Sequence, residues 1–337
     1  MKLLSFVGAQ SEPRIGVVLA DLGAESIVDV AGAHRQLSET SETSVGVEAA
    51  LRGGDMKALL ETGEAGMEAL RALLARVSRL ISAPEERANW SRSRLLLDPQ
   101  GIQFLPPVPR PGKIISVGAN YPKHLTELDD SSFSSIIPGL KDKDFPIAFA
   151  KMPSTLTAHG APIVYPKWTT ELDYEGEFCL VIGKRCKNVP AEDALSVIAG
   201  YTIINDVSMR DIQVAEMKRG MLLMGKNLDT TMPAGPYLVT PDEIADPMNV
   251  RLRTLVNGEE RQSASTSEMI IDIPSIIAYW SRMTLEPGDM ITTGSPAGVA
   301  IGSADPARNL LKPGDVVEVE IEGLGRLRNR VEADQGI

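Results

Sequence analysis

Cysteine and histidine are both scarce in this sequence, two and three in 337 residues. Cys179 and Cys186 stand seven positions apart, a spacing that suits neither a zinc ligand set nor a secreted disulfide framework. Reduced thiols packed as small apolar side chains in a cytoplasm are the expectation. Positive charge is in deficit too: 34 Lys and Arg stand against 45 Asp and Glu, a formal charge of −11, and no stretch gathers the basic residues into a stripe. Nucleic acid and anionic membrane surfaces demand such a stripe, which argues against both as partners. No run approaches the roughly 18 consecutive apolar residues of a membrane helix. Met1-Lys2-Leu3-Leu4-Ser5-Phe6-Val7 passes into Gln10-Ser11-Glu12 too soon for a signal peptide and reads as a strand. Small molecules and further copies of the chain remain as partners.

What is present is an ordinary folded composition, 43% hydrophobic and 23% charged, long enough for one large domain or two ordinary ones. Strands are expected at 2–7 and 15–22. A helix follows in which Met67, Leu70, Leu73, Leu74, Val77, Leu80 and Ile81 recur at three- and four-residue steps, with Arg71, Arg76 and Arg79 on the opposite side. Pro106, Pro107, Pro109 and Pro111 then break any regular element. The chain therefore divides into an α+β unit (1–105), a proline-rich linker (106–112) and a second domain (113–337). The second domain reads mainly as strands, at 113–117, 177–182, 200–205, 237–239, 251–256, 290–293 and 316–321, with helices at 191–198, 207–218 and 273–282. Asn257-Gly258 predicts a type I′ hairpin turn. The fold class is mixed α/β and β-dominated, without the regular βα alternation of a doubly wound sheet.

Chemistry concentrates in three places. In Glu171-Leu172-Asp173-Tyr174-Glu175-Gly176-Glu177-Phe178-Cys179-Leu180-Val181-Ile182, period-two geometry puts Glu175 and Glu177 on one face, about 6.5–7 Å apart. The apolar tail carries them inward, where they need a cation; the alternative is a solvated edge. Asp206 ends a second apolar strand with Arg210 nearby, and it is either a third oxygen ligand or a helix N-cap. Carboxylates without histidine or thiolate favour Mg²⁺ or Mn²⁺, with Ca²⁺ allowed. On a turn begun at Pro122, His124 and Glu127 share a face, so that the carboxylate can orient the imidazole as a general base; the alternative is an incidental surface pair. Gly294-Ser295-Pro296-Ala297-Gly298 lacks the glycine-serine order of a nucleophile elbow, and Gly225-Lys226 lacks a P-loop ahead of it, which leaves Lys226, by itself, a solvated lysine.

Together these segments resemble the fumarylacetoacetate hydrolase family. The resemblance rests on Asn120-Tyr121 with His124 and Glu127, the Glu175/Glu177 strand, Ala199-Gly200-Tyr201-Thr202 leading to Asn205-Asp206-Val207-Ser208 and Arg210-Asp211-Ile212-Gln213, Lys226 before Asp229, Gly235-Pro236, Val256-Asn257-Gly258-Glu259, and Thr293-Gly294-Ser295-Pro296-Ala297-Gly298. It covers about 113–331. It implies a β-roll catalytic domain beside a smaller amino-terminal domain, usually a homodimer, with Mg²⁺ or Mn²⁺ on Glu175, Glu177 and Asp206. By the same resemblance His124, held by Glu127, activates water. Lys226 and Gln213 stabilise oxyanion and enolate, Ser295 and Tyr121 contact substrate, and Arg210 supports the carboxylates from behind. The implied reaction is hydrolysis of a C–C bond in an acylpyruvate-type acid. The alternative keeps the metal and enolate for an oxaloacetate-type decarboxylase or a hydroxymuconate-type isomerase. Two departures are expected to matter: Ser295 replaces the family's threonine, and Met217 stands where several of its hydrolases carry a phenol. The segment 129–146, longer than in compact members, is expected to act as a lid over the substrate.

Overall fold

In the computed structural model, which describes residues 1–9, 11–19, 25–37, 44–129, 131–141 and 144–336, the strand Gly176–Ile182 is buried at all seven positions. Its two faces feed different cores. Phe178, Leu180 and Ile182 pack with Ile203, Leu252 and Val319, whereas Cys179 and Val181 pack with Ile204, Leu238 and the amino-terminal Leu59 and Leu70. A strand covered on both sides reads as a continuous apolar run, which is what Phe178-Cys179-Leu180-Val181-Ile182 is. Ile198–Asn205 pairs with it antiparallel on one edge, with Gly176 opposite Asn205. Met290–Thr292 pairs on the other edge and runs parallel to Ile114–Val117, which in turn holds Ala148–Lys151 antiparallel.

The sheet does not stop at the proline cluster. Lys2–Val7 pairs with Leu238–Val239, and through it with Pro13–Leu19 and Ser26–Asp29, so one hydrogen-bonded layer of 13 strands among the described residues crosses the boundary drawn at 106–112. The Ser5 hydroxyl donates to the Pro107 carbonyl at 2.9 Å and ties the linker to this layer. A second sheet of five strands includes the Arg251–Val256 and Glu259–Ser265 hairpin, turned at Asn257 and Gly258 with φ of 53° and 81°.

Several element limits differ from the sequence reading for identifiable reasons. The helix Gly63–Ile81 buries Leu70, Leu73, Leu74, Val77 and Ile81, but Leu80, at the edge of the stripe and in the last turn, is exposed. The second strand is Pro13–Leu19, and the expected end at Leu22 lies outside the described residues. The helix expected over 207–218 begins only at Arg210, because Ser208–Met209 is taken up in a two-strand ladder with Leu172–Asp173. The segment 191–197 is 3₁₀, not α. Among the described residues, no helix is long and apolar enough to cross a membrane.

Candidate metal centre and proton-transfer site

The pairing of Gly176 with Asn205 decides the site. It sets the end of one strand beside the end of the next, and the Asp206 amide donates to the Glu175 carbonyl at 2.8 Å. Glu175, Glu177 and Asp206 are all buried, and each offers a carboxylate oxygen within 4.8 Å of the others. Asp206 is thus a member of this cluster and caps no helix, since Met209 occupies the N-cap of Arg210–Met217.

Three buried cations surround the carboxylates. Lys226 Nζ lies 2.6 Å from Glu175 Oε2 and 3.1 Å from Asp206 Oδ2. Lys151 Nζ donates to Asp206 Oδ1 at 2.6 Å and to the carbonyls of Lys226 and Thr231. Arg210 reaches Glu175 Oε1 at 2.7 Å and Asp173 Oδ2 at 2.9 Å. Ser116 adds a hydroxyl to Asp206 Oδ2 at 3.1 Å. Four carboxylates therefore face three cations, and Glu177 is the one left without an ion pair among the described residues. It accepts only the Gly294 amide, at 2.9 Å, and a Thr292 hydrogen bond.

The proton affinities follow. Burial raises that of Glu175, but the Lys226 ammonium and the Arg210 guanidinium outweigh it and hold the carboxyl down at about 2. Burial, then Asp206 and Glu175, push Glu177 well above the usual carboxylate range. Burial depresses Lys151 despite Asp206 beside it, whereas Lys226, also opposed by burial, is raised by Asp206 and Glu175. A buried carboxylate in this position needs a proton or a further cation. Three carboxylate oxygens with no nitrogen or sulfur donor suit a hard divalent ion, so the residues fit Mg²⁺ or Mn²⁺.

That fit has a thermal consequence. Mg²⁺ or Mn²⁺ at about 100 times its dissociation constant is expected to stabilise the fold by about 2.7 kcal/mol. Glu177→Gln is expected to abolish this increment while leaving the metal-free melting temperature unchanged or higher, because it removes the one carboxylate without a cation. Melting curves with and without metal test both statements; a metal-induced rise that survives the substitution contradicts them.

His124 and Glu127 sit on the short helix Pro122–Glu127, with His124 Nδ1 2.7 Å from Glu127 Oε1. Glu127 Oε2 in turn accepts the Gly298 amide at 2.7 Å. Gly298 has φ of 106°, and an added Cβ there would lie 1.9 Å from the Arg261 carbonyl oxygen, so the turn that aims this N–H admits only glycine. Asn120 staples the approach to the helix: its side chain donates to the carbonyls of Ile271 and Thr293 at 3.0 Å each and accepts the Ile271 amide. With Glu127 holding Nδ1, Nε2 is the nitrogen left for proton transfer.

His124, the three carboxylates, Arg210, Gln213, Lys226 and Ser295 share the wall of one cavity of about 560 Å³. Gln213 accepts from Arg210 Nη1 at 2.9 Å through Oε1, which leaves its amide group as donor. Ser295 accepts from Gln262 Nε2 at 2.8 Å. Tyr121 is the exception among the expected substrate contacts. It does not line the cavity; its ring packs inside, directed there by the extended backbone ahead of Pro122, and its hydroxyl has no hydrogen-bond partner among the described residues. Lys226, solvated by expectation when read alone, is 1% exposed.

Two residues of the centre had no role in the sequence reading. Lys151 ends the apolar strand Ala148–Lys151, and a lysine at the end of such a strand was the available signal. Asp173 stands two residues before Glu175, in the separate short strand Leu172–Asp173, and accepts the amides of Tyr174 (2.8 Å), Ala300 (2.8 Å) and Ile301 (3.1 Å) besides Arg210. The segment expected to be a lid is seated in this structure: Phe133 and Ile137 are buried with Leu125, Leu128 and Val214, and the Arg210 guanidinium lies 5.8 Å from the Phe133 ring centre. Positions 130, 142 and 143 of that segment lie outside the described residues.

The family model described as fumarylacetoacetate (FAA) hydrolase C-terminal matches residues 113–332. The chain is 36% identical to the oxaloacetate tautomerase YisK of Bacillus subtilis over 267 residues, 77% of this chain and 84% of the relative. It is 35% identical to the mitochondrial oxaloacetate tautomerase fahd2 of Xenopus laevis over 333 residues, 98% of this chain and 90% of that one. Among solved structures, maleylpyruvate hydrolase from Sphingobium sp. SYK-6, in complex with manganese(II) and pyruvate, superposes with a TM-score of 0.70 at 28% identity, covering 99% of this chain and 100% of the other.

Proposed function

The chain belongs to the fumarylacetoacetate hydrolase family, and on that premise we propose that it is an enzyme that interconverts the keto and enol forms of a metal-bound 2-oxo acid, with oxaloacetate as the first substrate to test. This sets aside the C–C hydrolysis expected from the sequence in favour of its metal-enolate alternative, because two relatives that align over 77% and 98% of the chain are oxaloacetate tautomerases. The observation that carries the reading is His124, held by Glu127, in the same cavity wall as the carboxylate cluster. Tautomerisation asks only that a proton leave C3 and one arrive at the C2 oxygen, and one oriented imidazole opposite a fixed substrate can do both.

A divalent cation held by Glu175, Glu177 and Asp206 would supply Lewis-acid polarisation of the 2-oxo group. The remaining work falls to the chain. Glu127 fixes the orientation of the His124 ring. Lys226 keeps Glu175 ionised, pairs with Asp206, and adds positive field where enolate charge develops. Ser295 and the Gln213 amide are the hydrogen-bond donors for the substrate carboxylate and oxyanion. Arg210 and Lys151 hold the carboxylates from behind. The enzyme is proposed to act as a homodimer.

The test follows the ultraviolet absorbance of enol-oxaloacetate after dilution into buffer with Mg²⁺ or Mn²⁺. Catalytic amounts of protein are expected to accelerate ketonisation and to lose this effect on addition of a chelator. A rate equal to that of buffer and metal alone sinks the reading. The structural likeness to maleylpyruvate hydrolase keeps C–C hydrolysis as the second reading. Mass spectrometry of acylpyruvate incubations separates them, since only hydrolysis yields two fragments with water taken up.

A further inference from the structure

The cavity is larger and more divided than a four-carbon diacid requires. Its volume of about 560 Å³ falls in the range of roughly 300–1,000 Å³ that holds drug-sized ligands. Among the described lining residues, every charged side chain sits with the carboxylate cluster and His124, and the two permanent cations are already committed there, Arg210 to Asp173 and Glu175, Lys226 to Glu175 and Asp206. Gln213 and Ser295 add polar groups beside the cluster, and a further part of the wall is apolar: Phe133, Ile136 and Leu140 from the segment over the site and Met217 from the end of the helix Arg210–Met217.

A 2-oxo acid bound at the carboxylates by its C1 carboxylate and C2 oxygen has only this remaining space for whatever C3 carries. In oxaloacetate that group is a second carboxylate, which would lie against hydrocarbon with Arg210, the cation bordering Phe133, already paired to Asp173 and Glu175, a costly burial. An aryl or branched alkyl group in the same place buries its own apolar surface against the wall. The wall is held in place, since Phe133 and Ile137 are buried with Leu125, Leu128 and Val214.

We propose that the preferred substrate is a 2-oxo acid bearing an aryl or branched alkyl group on C3, seated against Phe133, Ile136, Leu140 and Met217; this rests on the tautomerase reading. The reaction is unchanged in its balance: the C3–H bond breaks, an O–H bond forms at the C2 oxygen, and no co-reactant enters.

Phenylpyruvate and oxaloacetate are the probes for turnover, compared by kcat/KM of enol–keto interconversion with Mn²⁺. Oxamate and N-phenyloxamate are the probes for binding, measured by calorimetry on the metal-loaded protein. Phenylpyruvate is expected to be favoured over oxaloacetate, and N-phenyloxamate to bind about ten- to a hundredfold tighter than oxamate. Met217→Arg, which places a cation on the apolar wall, is expected to move the turnover ratio toward oxaloacetate by about tenfold or more. Acceleration of oxaloacetate alone, with no binding preference for the phenyl compound, overturns this proposal and leaves the tautomerase reading intact. Preferential binding of N-phenyloxamate with neither acid accelerated overturns the tautomerase reading and supports the apolar subsite. No acceleration and no preference overturns both.

Discussion

Replacing His124 with alanine is expected to lower metal-dependent ketonisation of oxaloacetate by about 10²–10⁴-fold, the usual contribution of a positioned acid–base group, while binding of Mn²⁺ and of the inert chelator oxalate persists. That fall corresponds to about 2.7–5.5 kcal/mol of lost transition-state stabilisation. The separation of effects follows from the geometry. His124 lines the same cavity as the carboxylates, but its one side-chain partner is Glu127, at 2.7 Å, and none of Glu175, Glu177 and Asp206 bonds to it. Removing the ring therefore removes the proton carrier without removing a ligand. Glu127 keeps the Gly298 amide, so the turn behind the site has a remaining support. Enol absorbance gives the rate and calorimetry gives the oxalate affinity. Undiminished turnover would mean that protons move by another route, and loss of oxalate binding would mean that His124 orders the metal centre instead.

The parts of the site that could be read in the sequence were those whose geometry is local. Glu175 and Glu177 are paired in the sequence by a two-residue spacing; in the fold Glu177 lies on the strand Gly176–Ile182 and Glu175 just ahead of it, and the apolar run that follows carries both inward. His124 and Glu127 meet because they stand three apart on a helical turn. Lys151 is different. It reaches Asp206 only because Ala148–Lys151, Ile114–Val117 and Met290–Thr292 stack into one sheet, a long-range order that neither strand announces. Tyr121, expected at the substrate from its place in a motif, is buried outside the cavity lining, and no local pattern in the sequence says on which side of its strand end the ring falls. The proline cluster shows where regular structure breaks along the chain, yet Leu3 pairs with Leu238 across that break, a contact of high sequence separation. Asp173 is close to Glu175 along the chain, but its partners at Ala300 and Ile301 come from the far end of the chain.

The balance of charge in the centre fixes the second large effect. Arg210 is 1% exposed and joins Asp173 to Glu175, so Arg210→Met leaves two buried carboxylates with one cation fewer and a side chain that can satisfy neither. Breaking a buried pair in this way costs about 3–5 kcal/mol. The loss should depend on pH with a definite sign. In the wild type, Glu175 is held down at about 2, below its unfolded value, so it contributes stability that is fully present above about pH 4.5 and is lost as pH falls toward 2. Without the guanidinium, burial acts on Glu175 with only Lys226 and His124 against it, the folded pKa rises, and the contribution at neutral pH shrinks. The difference between wild type and variant is therefore expected to be largest near pH 7, to narrow as pH falls through the raised pKa of the variant, and to vanish only near pH 2, where both folded proteins carry the proton. Urea melts of the metal-free proteins across this range measure it directly. A difference that stays constant with pH would assign the loss to packing against Phe133, whose ring the guanidinium covers, and not to the carboxylates. Glu175 is also a ligand of the expected metal, so the same substitution is expected to weaken Mn²⁺ binding even in protein that remains folded, because the carboxylate loses the partner that orients it.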